Sequence, residues 1–150
     1  MAIRLSTGAR SALVGTDGKG FGELFNNGVI DIYTGAQPVS ADYVETGTKL
    51  TRISSTCGTG ADDGVKFGTT GSGVLTIAAT PAWAGTCIVD GVAGWFRFYG
   101  SGGVAGTSNT AIRFDGAVGV SGSDLDLTHT SLKAGAVVTI NAANVTQPAE

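Results

Sequence analysis

Residues 94–100 read Gly94-Trp95-Phe96-Arg97-Phe98-Tyr99-Gly100, a dense cluster in a chain that has 2 Trp, 3 Tyr and 6 Phe in total. In an extended strand, successive side chains point to opposite faces of the sheet, so Phe96 and Phe98 share one face. That face is predicted to be core, because neither ring carries a polar group. Trp95, Arg97 and Tyr99 share the other face, which suits a protein interface, a stacking surface for a sugar ring or a second packed layer.

A second segment with the same alternation is Ala111-Ile112-Arg113-Phe114-Asp115. If it pairs antiparallel with residues 94–100, the apolar face gains Ile112 and Phe114. The opposite face is then a candidate interface formed by Trp95, Arg97, Tyr99, Arg113 and Asp115. Residue chemistry alone leaves open whether this face docks on a partner or packs inside the protein.

The rest of the chain reads as short strands joined by glycine turns, after an N-terminal part of about 27 residues with helical character. Ser6 or Thr7 is predicted to cap a helix over residues 5–14 that stops at Gly15, and residues 21–28 form an amphipathic turn. Predicted strands cover 28–33, 49–54, 65–67, 74–78, 86–90, 118–120, 124–130 and 136–141, with an interruption at 81–85 and a turn at 131–135. The sequence therefore predicts one all-β domain over residues 1–150, a β-sandwich or jelly roll of about seven to nine short strands, with one or two short N-terminal helices. Residues 1–5 are expected to form an arm and residues 142–150 a tail.

The composition restricts the classes of partner. The net charge is -3 and the sequence pI is about 5.0, which argues against binding nucleic acid through its phosphates. The sequence contains no basic amphipathic helix and no apolar run long enough to span a bilayer, so we expect no membrane partner. The N-terminus has no signal-peptide pattern, which predicts synthesis in a cytoplasm.

The sequence contains no pattern that indicates a catalytic or ligand-binding site. Cys57 and Cys87 are predicted to be buried free thiols rather than a disulfide, and His129 to be a surface histidine. The acidic pairs Asp62-Asp63 and Asp124/Asp126 lack the ligand spacing of a calcium loop and are predicted to be solvated carboxylates. We therefore expect no enzyme activity, no cofactor and no metal.

Several segments together resemble small virion proteins of tailed bacteriophages. They occur in the family's order and are spread over most of the chain: 4–8 (RLSTG), 29–38 (VIDIYTGAQP), 40–42, 45–48, 93–99 (AGWFRFY), 111–116 (AIRFDG) and 131–135 (SLKAG). The resemblance implies a structural component of the particle, made in the host cytoplasm, present in many copies and bound to the major capsid protein or other virion proteins. A homo-oligomer within the particle is expected on the same ground.

Three functions follow as alternatives. The first is a capsid decoration (cement) protein that binds and stabilises the shell, and the second is a structural protein of the tail. The third is a carbohydrate-binding module, suggested by Trp83, Trp95 and Tyr99, because sugar stacking needs two or three aromatic rings exposed on one surface.

Overall fold

The structure, a computed structural model, describes residues 3–15, 19–55, 57 and 63–146. These residues form a mainly β fold with two short helices near the N-terminus, α1 (Thr7–Val14) and α2 (Phe21–Phe25). The strands are β1 (Arg4–Leu5), β2 (Val29–Thr34), β3 (Lys49–Ser55), β4 (Phe67–Gly71), β5 (Val74–Ile77), β6 (Trp83–Thr86), β7 (Gly91–Tyr99), β8 (Arg113–Gly119), β9 (Leu125–Asp126), β10 (Ser131–Leu132), β11 (Val137–Ile140) and β12 (Asn144–Thr146). The predicted β class and the short N-terminal helices are confirmed.

Within the described residues the strands make two sheets. The large sheet has nine strands in the order β1-β8-β7-β2-β3-β6-β11, with β10 attached to β7 and β9 to β8. Its pairings are antiparallel except for the short parallel contact between β8 and β9. The small sheet has the order β12-β5-β4.

The central strand is β7, which pairs with β2 on one side and β8 on the other. Phe98 lies opposite Phe114 and Arg97 opposite Asp115, which is the antiparallel pairing predicted from the sequence. The strand expected at 118–120 is not separate, because β8 continues through Gly119.

The core lies on the phenylalanine face of β7 and β8. Phe25 of α2 packs against Phe98 and Phe114, with ring centroids 5.2 and 5.0 Å apart. The ring of Trp83 in β6 lies 6.0 Å from that of Phe98 in the same core, although β2 and β3 separate the two strands in the sheet. Three strand spacings in a flat sheet amount to about 14 Å. The large sheet therefore curls around this core.

Both predicted N-terminal helices form where expected. The Ser6 side chain accepts a hydrogen bond from the Ala9 amide at 3.1 Å and caps α1, which ends before Gly15. Residues 4 and 5, predicted to be part of an extended arm, instead form a strand of the large sheet, because Arg4 and Leu5 pair with β8. Residues 1 and 2 lie outside the described residues. At the other end, residues 144–146 pair with β5, and residues 147–150 of the predicted tail lie outside the described residues.

The prediction around residues 81–90 was wrong. The segment expected to interrupt the sheet contains β6, and the segment expected to be a strand leaves it after Thr86. Burial of the Trp83 ring explains why the strand lies at residues 83–86: Trp83 is 1 % exposed, and its indole N–H donates to the Lys66 carbonyl at 3.0 Å. Ile88 and Val89 are exposed instead, at 65 % and 37 %.

Four further segments differ in detail from the predictions. The hairpin of β4 and β5 turns tightly at Ser72 and Gly73, which both have positive φ, so β4 runs on to Gly71. Residues 124–130 contribute only the two-residue strand β9, and residues 131–132, predicted as part of a turn, pair with β7. In β3, Leu50 and Ile53 are out of phase because they are three positions apart. The pairing with β2 shifts by one residue at Leu50, and both side chains are buried.

Candidate functional site

The structure brings the five predicted interface residues together and buries all of them. Exposure is 2 % or less for each of Trp95, Arg97, Tyr99, Arg113 and Asp115. Two loops lie over them: residues 35–48, called the β2–β3 loop, and residues 100–112, called the β7–β8 loop. These side chains form a packed layer in the isolated chain, so any contact with a partner at this face would be made by the loops above them.

Charged side chains of alternating sign cross the sheet beneath these loops. In register from β3 to β1 the row is Arg52, Asp31, Arg97, Asp115 and Arg4. Arg97 binds Asp115 with two hydrogen bonds, from Nε and Nη2, at 2.6 and 2.7 Å. Arg52 binds Asp31 in the same two-pronged way, at 2.7 Å for both contacts. Planar guanidinium groups suit such paired contacts with carboxylates.

The Arg97 guanidinium also reaches up to the β2–β3 loop. Its Nη1 donates to the Tyr43 carbonyl at 2.9 Å and to Glu45 Oε1 at 2.8 Å. Glu45 in turn accepts a hydrogen bond from the Tyr99 hydroxyl at 2.7 Å and another from the Gly106 amide at 3.0 Å. One carboxylate therefore joins the sheet, the β2–β3 loop and the β7–β8 loop.

Arg113 holds both loops through their main chains. Its Nε donates to the Ala41 carbonyl at 2.6 Å, Nη1 to the Val104 carbonyl at 2.9 Å and Nη2 to the Ser108 carbonyl at 3.3 Å. A buried guanidinium is stabilised only when its donors are satisfied, and here loop carbonyls supply the partners. The two loops and the two arginines therefore form one polar layer.

Protonation in this layer follows from burial and pairing. Burial opposes ionisation of Glu45, but hydrogen bonds from Tyr99, Gly106 and Arg97 outweigh it, and the pKa of Glu45 lies below its ordinary value. Burial raises the pKa of Asp115, and the Arg97 charge only partly opposes it. Burial also raises the pKa of Tyr99, and it raises the pKa of Tyr33 to about 12. Both tyrosines therefore stay protonated near neutral pH, and Tyr99 donates to a carboxylate.

The β2–β3 loop exposes three large side chains that are mainly apolar. Val39, Tyr43 and Val44 are 78 %, 52 % and 54 % exposed, and we call these three residues the loop surface. They line a cleft of about 610 Å³ together with Gln37 and neighbouring uncharged residues. The sequence pattern did not single out any of these residues, because a polar loop that contains Asp42 and Glu45 gives no periodic signal.

The aromatic rings proposed to stack on sugars are not exposed. Trp83, Trp95 and Tyr99 are each 2 % exposed or less, and Trp83 lies on the core face whereas Trp95 lies in the polar layer. Trp95 stacks on Tyr33 with ring centroids 4.6 Å apart. The feature that suggested a carbohydrate-binding module is therefore absent from the surface of the described residues.

The remaining sequence candidates occupy separate positions. His129 is exposed, Cys87 is buried and Cys57 is half-buried, and both thiols are free. Asp126 accepts hydrogen bonds from the amides of residues 122 and 123, so it stabilises a turn. Asp124 is also exposed, and it accepts a hydrogen bond from the Ala117 amide at 2.9 Å. Asp62 lies outside the described residues.

Within residues 3–15, 19–55, 57 and 63–146, no three His, Cys, Asp or Glu side chains are grouped so that they could hold a metal ion. Neither helix of these ranges has the length and apolar character needed to cross a bilayer. Comparison of the chain with protein-family models, with curated proteins and with solved structures gave no match.

Proposed function

We propose that this chain is a structural protein of a bacteriophage particle, and that it acts as a capsid decoration (cement) protein that binds the shell of the major capsid protein and stabilises it. The sequence resemblance to small virion proteins supports this proposal. The segments that carry the resemblance also include the strands and loop of the polar layer: residues 29–38, 40–42, 45–48, 93–99 and 111–116.

The observation that carries the proposal is an exposed apolar surface on a loop that the interior holds in place. Tyr43 illustrates this arrangement: its main-chain carbonyl accepts a hydrogen bond from the buried Arg97, whereas Tyr43 as a whole is 52 % exposed. A protein that joins neighbouring subunits needs a contact surface of fixed shape, since ordering a loose loop on binding costs free energy. The polar layer gives the loop surface such a shape.

We also propose that the two sheets form the predicted β-sandwich. The large sheet curls around the phenylalanine core, and the small sheet reaches the same core through Phe67, whose ring lies 5.3 Å from Trp83 and 6.1 Å from Phe98. Two sheets that share one core are typical of sandwich bodies. We infer that the small sheet acts as the second layer.

Charge placed on the loop surface tests the docking proposal. We expect the variant Val39→Asp/Val44→Asp to fold, because both side chains are mainly exposed, and to be lost from purified particles, because a carboxylate would be desolvated in the contact. Val137→Asp is the matched control, since Val137 is 60 % exposed on the edge strand β11. Incorporation of the double variant at the level of the control would contradict the proposal.

A second measurement separates the shell from the tail. Quantitative mass spectrometry of purified particles gives the copy number of the chain relative to the major capsid protein. We expect a ratio near that of a shell component. A ratio typical of a tail component would favour the alternative of a tail-associated structural protein, and absence from particles would remove both versions.

A further inference from the structure

The cleft beside the loop surface contains an unusual polar group. Among the described residues, the amide of Gln37 is the one buried side-chain group whose nitrogen and oxygen both lack a hydrogen-bond partner. Gln37 is only 8 % exposed, and it lines the cleft. Buried amides are nearly always paired, because an unpaired donor or acceptor loses its hydration without compensation. An unpaired amide at a cleft therefore points to a partner that supplies the missing hydrogen bonds.

The main chain on each side of Gln37 is fixed. The Thr46 hydroxyl donates to the Ala36 carbonyl at 2.8 Å, and Arg4 Nη1 donates to the Pro38 carbonyl. Because both amide atoms are buried, a bound group reaches them only after rotation of the Gln37 side chain, while the backbone keeps its position. The backbone of the cleft is preformed, which lowers the cost of binding, and the Gln37 side chain is the part that rearranges.

The lining of the cleft restricts the chemistry of its occupant. All the lining residues are uncharged, and Pro38, Val39 and Val44 contribute apolar surface. A charged ligand would lose its hydration there without gaining an opposite charge. A saccharide would find polar partners at Tyr43, Thr46 and Thr107, but it would place its other hydroxyl groups against the two valines. A peptide segment satisfies both features, since its side chain is apolar and its peptide group offers one donor and one acceptor to a primary amide.

We propose that this cleft binds an uncharged, extended segment of another protein, whose main-chain peptide group pairs with the Gln37 amide while an apolar side chain packs against Val39 and Val44. The volume of about 610 Å³ is in the range of cavities that hold small ligands or one or two residues of a peptide. The identity of the partner as a virion protein rests on the proposed function, but the chemistry of the cleft is tested separately.

The probe is N-acetyl-valine N′-methylamide, which carries two peptide groups and one apolar side chain. Titration into the isotopically labelled chain is followed by NMR at the side-chain NH2 of Gln37 and the backbone amides of Tyr43 and Val44. We expect saturable shifts with a dissociation constant in the millimolar range, as for other small fragments. The variant Gln37→Met keeps the shape of the side chain and is expected to bind about tenfold more weakly, which corresponds to the loss of one hydrogen-bonded contact.

Gln37→Met also has an expected effect without the probe. Because methionine removes the unpaired buried amide, the free variant is expected to unfold at a denaturant concentration equal to or higher than the parent. Asn141→Leu, which alters an exposed amide in a different cavity, is the control and is expected to leave binding of the probe unchanged.

Four outcomes would overturn the inference. They are no shift at the Gln37 side chain, equal binding by Gln37→Met, tighter binding of N-acetylglucosamine than of the peptide probe, and self-association of the chain that Gln37→Met abolishes. The last would make a second copy the occupant. This experiment does not measure incorporation into particles. A negative result in it therefore leaves the test of the proposed function with Val39→Asp/Val44→Asp unaffected.

Discussion

Replacing Arg97 by methionine is expected to cost a large part of the stability of the domain. The substitution leaves the Asp115 carboxylate, which is 0 % exposed, without its guanidinium partner, and it removes the donors to Tyr43 and Glu45. Breaking a buried ion pair by removing one partner costs about 3 to 5 kcal/mol. For a chain of this length such a loss corresponds to a fall in Tm of roughly 6 to 20 °C.

Urea unfolding followed by tryptophan fluorescence measures this effect, because the Trp95 ring lies 5.4 Å from the Arg97 guanidinium carbon. The double variant Arg97→Met/Asp115→Leu removes both charges and is expected to regain a large part of the loss. Lys133→Met alters an ion pair whose two partners are exposed and is expected to leave the urea midpoint unchanged. Unfolding of Arg97→Met at the same urea concentration as the parent would contradict this prediction, as would a double variant no more stable than the single one.

Three further predictions concern pH, packing and thiol reactivity. Because the pKa of Glu45 is lowered, its carboxylate stabilises the fold above its ordinary pKa of 4.5, and this contribution is lost as the pH falls below that value. Glu45→Gln should therefore flatten the acid side of a plot of unfolding free energy against pH. A plot parallel to that of the parent would contradict this prediction. A Cβ at Gly94 would lie 2.0 Å from a main-chain oxygen, whereas one at Gly71 would meet no atom within 4 Å. Gly94→Ala should therefore lower Tm far more than Gly71→Ala. Equal Tm values of the two variants by calorimetry would refute this prediction. Burial raises the pKa of the Cys87 thiol, so a thiol reagent should modify the half-buried Cys57 first in the folded chain, as peptide mass spectrometry of timed samples would show; faster labelling of Cys87 would count against it.

The parts of the fold that the sequence predicts are those with strong local signals. The alternation in residues 94–100 and 111–115 defines the two faces of β7 and β8, and the cap at Ser6 defines the start of α1. The strand at Trp83 was missed because Pro81 and Gly85 are local breaking signals, whereas the gain from burying the indole ring depends on residues distant in the sequence.

The candidate site shows the same division. The alternation in the sequence places Trp95, Arg97, Tyr99, Arg113 and Asp115 on one face of the sheet, but it does not predict which residues cover that face. The cover depends on contacts between residues more than fifty positions apart, such as Arg97 with Glu45 and Tyr99 with Glu45. The cleft at Gln37 was missed for a related reason, since an unpaired amide is a property of three-dimensional surroundings and leaves no pattern in the sequence.

The way in which Arg113 holds the two loops has a consequence for how the protein can change. All three of its hydrogen-bond partners are main-chain carbonyls, and Arg97 adds a fourth, so these four contacts do not depend on which side chains the loops carry; Glu45 is a side chain that the loops do need. Outward-facing positions such as Val39 and Val44 can then be exchanged while the fold is kept. The two loops are suited to selection for new partners in the way that antibody loops are, and randomising these positions should yield folded variants at high frequency.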